Sequence, residues 1–364
     1  MLYVGIDQHR KQLTVSVRDE AGNVILRRQV STEWKKVRAF FDEVRDQATP
    51  YGGYLAVVEI CGFNQWLLKL LPQHDCRETI VVQPEERSAH KTDRRDASGL
   101  SEVLWINRER IAQGLPVRGL RRIQIPSALD QADRRLTSQR HDVGRELTRT
   151  INRLKAILRR HNLEQECPTK GIQTQRARKW LDGLSLSAVE RAELTHLLAR
   201  QDLLRKQLKQ LQGEILRRFE EHSAARLIST MPGAAAYSSL GLASRIGDIR
   251  RFKHPRSLAN YWGLTPGSRN SGEATQRLGS ITKQGSALAR FLLGQLVLHI
   301  LREDVWLRTW FRGIKRRRGS KIARVAVMRR LATILWHMLT KNEAYACGGP
   351  PRARLKRAAA VASA

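Results

Sequence analysis

No two of the four cysteines, Cys61, Cys76, Cys167 and Cys347, form a CxxC pair, and none has a zinc-ligand spacing with a histidine. That excludes a disulfide-stapled scaffold and a zinc site of the usual spacing. The four are expected as reduced thiols that mostly fill space. Long apolar runs are also missing. The best, from Phe291 to Leu301, is broken by Gly294, Gln295 and His299, whereas a membrane span needs about 20 apolar residues. A strand-like segment opens the chain where a signal peptide would stand. A cytoplasmic protein with no membrane partner is expected. No histidine sits where a Ser-His-Asp hydrolase would need it. Acids are scarce: 34 Asp plus Glu face 66 Lys plus Arg in 364 residues, a formal charge of +32. Such a surface repels itself unless a polyanion neutralises it, and the natural polyanion is nucleic acid.

What is present divides by periodicity. Residues 1–110 read as α/β. Leu2–Asp7, Gln12–Arg18 and Val24–Val30 are short strands joined by tight links, hence an antiparallel meander. Glu33–Ala48 has helical spacing, Tyr54–Glu59 reads as a buried strand, and a helix follows through Trp66 and Leu70. Thr79–Val82 is a further strand, and a helix begins near Asp96. The order βββαβαβα is that of the ribonuclease H-like (RuvC-like) α/β fold. Residues 127–222 instead carry heptad seams: Val143, Leu147, Ile151, Leu154, Leu158, then Leu194, Leu197, Gln201, Leu204, Leu208, Leu211, Ile215. These read as coiled-coil helices or as two core helices. Residues 223–345 form a mostly α unit with a Met231-Pro232-Gly233 turn, a glycine-rich loop through 263–272, and helices near 284–301 and 321–339. A basic run, Lys315, Arg316, Arg317 and Arg318, lies between those two helices. The tail, 346–364, reads as disordered and basic.

Four carboxylates stand where a ribonuclease H-like sheet gathers a metal site. Asp7 ends the first strand, Glu59 ends the fourth, and Asp93 and Asp96 follow the fifth. A spacing of three places the last two on one helical face. Mg²⁺ prefers such hard oxygen donors, and paired ions can activate a nucleophile and stabilise a leaving phosphodiester oxygen. The alternative is that each acid is merely solvated, or that Asp93 and Asp96 pair with Arg94 and Arg95. In the C-terminal unit Ser271 precedes Gly272, with Arg277, Lys283 and Arg290 at hand to offset phosphate charge. Ser268 is an alternative nucleophile. An ordinary polar turn would also account for this loop.

Together these segments resemble a known family. Tyr3-Val4-Gly5-Ile6-Asp7, Val57-Val58-Glu59 and Lys91-Thr92-Asp93-Arg94-Arg95-Asp96-Ala97 are similar to the DEDD domain of bacterial insertion-sequence transposases. Met231-Pro232-Gly233, Ile246-Gly247-Asp248, Tyr261-Trp262-Gly263-Leu264-Thr265-Pro266, Ser271-Gly272 and Ile281-Thr282-Lys283-Gln284-Gly285 resemble the family's second, serine-bearing domain. The resemblance covers roughly residues 1–340. It implies a DNA recombinase guided by a structured noncoding bridge RNA, acting on donor and target duplexes in the bacterial cytoplasm at the nucleoid. Asp7, Glu59, Asp93 and Asp96 would hold Mg²⁺, and Ser271 would form a covalent phosphoserine. Arg277, Lys283, Arg290 and Lys315–Arg318 would meet nucleic acid, in a dimer or tetramer. The sequence departs from the family at Asn270, where a small polar residue is usual, and at Ala235, where glycine is usual. A water-using junction endonuclease and a non-catalytic nucleic-acid binder are the competing readings.

Overall fold

The computed structural model describes residues 1–84, 93–115, 120–268 and 278–347. The chain forms two compact units, Met1–Ile125 and Pro126–Ala364.

The first unit is built on one sheet. Strands β1 (Leu2–Gln8), β2 (Gln12–Arg18) and β3 (Val24–Ser31) form the expected meander. Helix α1 (Trp34–Ala48) returns the chain to β4 (Tyr54–Glu59), which lies parallel to β1. Helix α2 (Gln65–Leu70) leads to β5 (Cys76–Pro84), parallel to β4. Helices α3 (Asp93–Ile106) and α4 (Arg108–Ala112) follow. A short strand, β6 (Leu120–Arg122), then closes the antiparallel edge. The sheet order is β3-β2-β1-β4-β5-β6. This mixed sheet is consistent with the ribonuclease H-like expectation. The edge strand β6 has three residues and little alternation, so it escaped the sequence pattern.

Alternation along β1 sorts its side chains to two faces. Leu2, Val4 and Ile6 join Val37, Phe41 and Leu67 in the core beneath α1 and α2. Tyr3 instead joins Val57, Ile80, Val82, Leu100 and Leu104 beneath α3. Gly5 lies on that second face, and there α3 touches the sheet backbone. A Cβ on Gly5 would sit 2.3 Å from the Ala97 carbonyl oxygen and 2.4 Å from the Ser101 amide nitrogen. The buried stripe of α3, Ala97, Leu100, Ser101 and Leu104, is small where it crosses β1 and large beyond. Ser101 Oγ donates to Ser16 Oγ at 3.1 Å, and Trp105 Nε1 donates to the Glu20 carbonyl at 3.0 Å. These contacts fix both the slide and the rotation of α3 on the sheet.

The second unit is helical. The long helices α5 (Ala128–Arg160) and, after α6 (Gln175–Asp182), α7 (Ala188–Glu221) run antiparallel. Arg160 pairs with Glu193 at 3.1 Å, Arg200 with Glu146 at 3.3 Å, and buried Asp133 with Arg218 at 2.7 Å. Leu154, Ile157 and Leu158 meet Leu194, Leu197 and Leu198 at one end. The heptad positions Val143, Leu147, Ile151, Leu208 and Leu211 are only half-buried. Helices α8 (Ser223–Ile228), α9 (Ala236–Ile246) and α10 (Pro255–Tyr261) precede a two-stranded ribbon, β7 (Pro266–Ser268) and β8 (Leu278–Ile281). Helices α11 (Ala287–Glu303) and α12 (Val305–Lys341) complete the unit. Their core centres on Trp262, Leu240, Leu292, Leu296, Val327 and Leu331.

One expectation is corrected here. The basic run does not lie in a link between helices: Lys315–Arg318 belongs to α12, just before a break at Gly319 (φ 80°, ψ 166°). All four of these side chains are exposed. Aromatic residues Trp306, Trp310 and Phe311 begin this helical stretch, and the density of Arg and Lys hid its periodicity. The tail from residue 348 on lies outside the described residues.

Gly5→Ala tests the helix-on-strand contact. Backbone atoms cannot rotate away from the new methyl, so the first unit should lose about 1–3 kcal/mol of stability, as overpacked cores do. Chemical denaturation of the variant reads this directly, and an unshifted midpoint would refute the contact.

Candidate functional site

The parallel pairing of β1 and β4 sets the geometry. Gly5 is opposite Val57 and Ile6 opposite Val58, so Asp7 and Glu59 end neighbouring strands. Each stands two residues beyond a member of the α3-facing layer, Gly5 or Val57, and alternation therefore puts both on the α3 side. Asp96 lies in the first turns of α3, one residue before the Ala97 that touches Gly5, and is half-buried. Asp93 opens the same helix, four residues before Ala97. The side chain of Asp93 lies outside the described residues. Three elements thus bring the four acidic positions to one face at one end of the sheet.

The electrostatics agree with the register. Burial pushes the Cys61 thiol up; a hydrogen bond with the Phe63 backbone opposes this, and the charges of Asp7 and Glu59 raise it further. Both carboxylates therefore bear on the same point. Asp7 is buried, and its Oδ2 lies 3.1 Å from His9 Nε2. Hard oxygen donors at strand ends suit a divalent cation such as Mg²⁺. Among the described residues no three of His, Cys, Asp and Glu stand close enough to hold an ion; the Asp93 carboxyl is not among them. His9 was missed by sequence reading. The available signal was its place two residues after Asp7, just past the end of β1.

The serine loop is framed although Ser271, Arg277 and the Ser268 side chain lie outside the described residues. Pro266 pairs with Ile281 and Ser268 with Leu278, so residues 269–277 join two hydrogen-bonded strands. The base of this ribbon is tightly built. Gly263 (φ 63°) and Gly285 (φ 71°) hold left-handed conformations with no room for a Cβ: one would meet Gln284 backbone at 2.3 Å, the other the Tyr261 carbonyl at 2.0 Å. The Thr282 amide donates to Thr265 O at 3.0 Å and the Lys283 amide to Gly263 O at 3.1 Å. Lys283 takes a positive φ of 57°, and its side chain is exposed. Arg290 Nη1 donates to the carbonyls of Gln284 at 2.8 Å and Trp262 at 3.0 Å. It pins the ribbon to α10 and α11, and burial lowers its pKa.

Nearby cations likewise bond neutral acceptors. Arg245, buried in α9, donates to Thr137 Oγ1 and the Gly241 carbonyl at 2.9 Å and to Ser138 Oγ at 2.8 Å. Burial, and then the neighbouring Arg134 charge, bring its pKa down to about 10. Arg134 and Arg251 donate to the last carbonyls of α9, where the helix dipole favours cations. In the Met231-Pro232-Gly233 turn, Gly233 (φ 79°) lies so close to His299 that a Cβ would approach its side chain to 2.4 Å. The missing side chain there serves packing on α11.

Two family models match the chain. One, described as "Transposase" of the DEDD type named for IS110, covers residues 4–163. The other, "Transposase IS116/IS110/IS902 family", covers residues 225–312. Among curated proteins, the chain is 26% identical to "Transposase for insertion sequence element IS1111A" of Coxiella burnetii, over 80% of this chain and 79% of that protein. It is 25% identical to "Probable family 20 transposase" of Pseudomonas aeruginosa, over 95% of this chain and 98% of that protein. No helix among the described residues is long and apolar enough to cross a membrane.

Arg290→Ala should destabilise the second unit by roughly 1–2 kcal/mol, since charge-assisted bonds to backbone carbonyls are lost. Urea unfolding measures it; wild-type stability would mean that the guanidinium does not hold the ribbon.

Proposed function

We propose that this insertion-sequence transposase of the IS110/IS116 family cleaves and rejoins DNA through a covalent phosphoserine, at sites chosen by a bound noncoding RNA. The observation that carries the reading is the register of β1 and β4, which ends Asp7 and Glu59 on neighbouring strands on the face that α3 covers, with Asp96 at the start of that helix. Asp7, Glu59, Asp93 and Asp96 are the residues that would hold Mg²⁺. Bound there, Mg²⁺ supplies electrostatic stabilisation of the phosphoryl oxygens as charge develops. His9, beside Asp7, orients that carboxylate.

Ser271 is the nucleophile in this reading, and the loop ending in β8 presents it. Its oxygen forms a bond to phosphorus as one P–O bond of the DNA backbone breaks, and the freed DNA hydroxyl takes up the proton that the serine loses. The phosphoserine ester keeps the phosphodiester's energy, so a second DNA hydroxyl can reverse the step on a new strand without ATP. Lys283, Arg277 and the exposed Lys315–Arg318 turn of α12 grip DNA or RNA backbones, as counterion release favours. Arg290, which holds the ribbon's base, serves the same site by positioning. If base pairing selects the target, the protein needs charge more than base-reading side chains, and the charge of +32 fits that division of labour. The half-buried seam positions Val143, Leu147 and Ile151 support pairing with a second copy.

The test is a protein–DNA adduct that survives denaturation. Wild-type chain with its co-expressed RNA, DNA and Mg²⁺ should yield it. Ser271→Ala should abolish both adduct and strand exchange, while Ser268→Ala keeps them. Asp7→Asn and Glu59→Gln should each slow cleavage on the order of a hundredfold or more, because a metal clamp contributes several kcal/mol. Cleavage by Ser271→Ala at the wild-type rate would favour a water-using junction nuclease. Absence of any Mg²⁺-dependent scission would leave a binding protein.

A further inference from the structure

The face of the sheet opposite the carboxylates carries a second feature. Where α1 and α2 meet at the surface, a cleft of about 390 Å³ is lined by Trp34, Arg38, Gln65, Trp66, Lys69 and Gln73 among others. Trp34 is 53% exposed, an unusual state for the largest apolar side chain. Its ring meets that of Trp66 edge-on at 5.5 Å and 76°. Trp66 packs on the core below and so anchors the pair. The Arg38 guanidinium lies over the Trp34 ring at 5.0 Å. Among the described residues no carboxylate lines the cleft, and Glu33, next to Trp34 in the chain, is paired with Lys36 at 3.1 Å.

We propose that this cleft takes an unpaired RNA nucleotide, with the base stacked on Trp34 and its phosphate against Arg38 and Lys69. A π-surface beside two cations and two carboxamides is the chemistry that single-stranded nucleic acid recognises: aromatic faces take bases, cations take backbone, and amides meet base edges and the 2′-hydroxyl. An acidic or apolar protein segment would match the cations or the rings, but not the whole set. Position selects RNA over the DNA being cut. A strand under cleavage must reach Asp7 and Glu59 on the α3 face, whereas α1 and α2 cover the other face. A nucleic acid bound at Trp34 is therefore a second one. This inference rests on the reading that an RNA accompanies the protein.

The experiment uses the full chain and fluorescence anisotropy with three probes of one sequence: a short unstructured RNA, the same single-stranded DNA, and the duplex DNA. Trp34→Ala should weaken RNA binding about tenfold, as loss of one stacked base does, and leave duplex binding unchanged. Trp34→Phe should restore most of the loss. Arg38→Gln should lower the salt slope of RNA binding by about one. Matching melting curves for the variants exclude unfolding. Equal losses for RNA and single-stranded DNA would overturn the assignment to RNA. Wild-type RNA affinity in Trp34→Ala would overturn the site, and a protein ligand for the cleft would then be sought. Wild-type protein that binds RNA no better than duplex DNA would instead sink the RNA-guided reading itself.

Discussion

The close approach of α3 to β1 is the constraint on which the first unit depends. Because Gly5 has no side chain, the Ala97 carbonyl and Ser101 amide lie almost against the strand. A helix held at that distance cannot slide, since Ser101 sits on Ser16 and Trp105 covers the β2–β3 turn above Gly22. The acids Asp93 and Asp96 are carried at the helix's first turns, so their position follows from this packing. Parallel pairing of β1 with β4 supplies the other pair. An acid-poor chain thereby ends two neighbouring strands in carboxylates on the face that α3 covers.

In the second unit the same economy of geometry serves the opposite charge. Here arginines donate to carbonyls and hydroxyls: Arg134 and Arg251 at the end of α9, Arg245 within it, Arg290 beneath the ribbon. Each satisfies backbone acceptors and keeps its positive charge uncompensated by a carboxylate in these contacts. Folding thus uses cations as hydrogen-bond donors while the molecule stays strongly basic. A loop joined to two paired strands and pinned at its base can present a hydroxyl without moving its supports.

Much of the first unit was legible because a half-buried strand writes its period plainly. Gln12–Arg18 alternates, Tyr54–Glu59 is continuous and apolar, and both appear with those bounds. The strand-end positions of Asp7 and Glu59 were legible for the same reason. Gly5 was not, since its meaning lies in a helix about 90 residues away. Nor was the structural duty of Arg290, which sequence shows only as one more cation. The helical start of α12 was hidden by its charge, and β6 by its length. Along the long helices the seam positions Leu154, Leu158, Leu194, Leu197, Gln201, Leu204 and Ile215 are buried, while Val143, Leu147, Ile151, Leu208 and Leu211 are only half-buried. A heptad tells which positions want cover and not what supplies it.

Mn²⁺ carries an anomalous signal and substitutes for Mg²⁺, so crystals of the protein–DNA complex soaked in Mn²⁺ test the central claim most directly. The account predicts an anomalous peak on the α3 side of the sheet, within coordination distance of Asp7 and Glu59. A fully occupied complex with no peak there, or with Asp7 and Glu59 turned away from any bound ion, would contradict it.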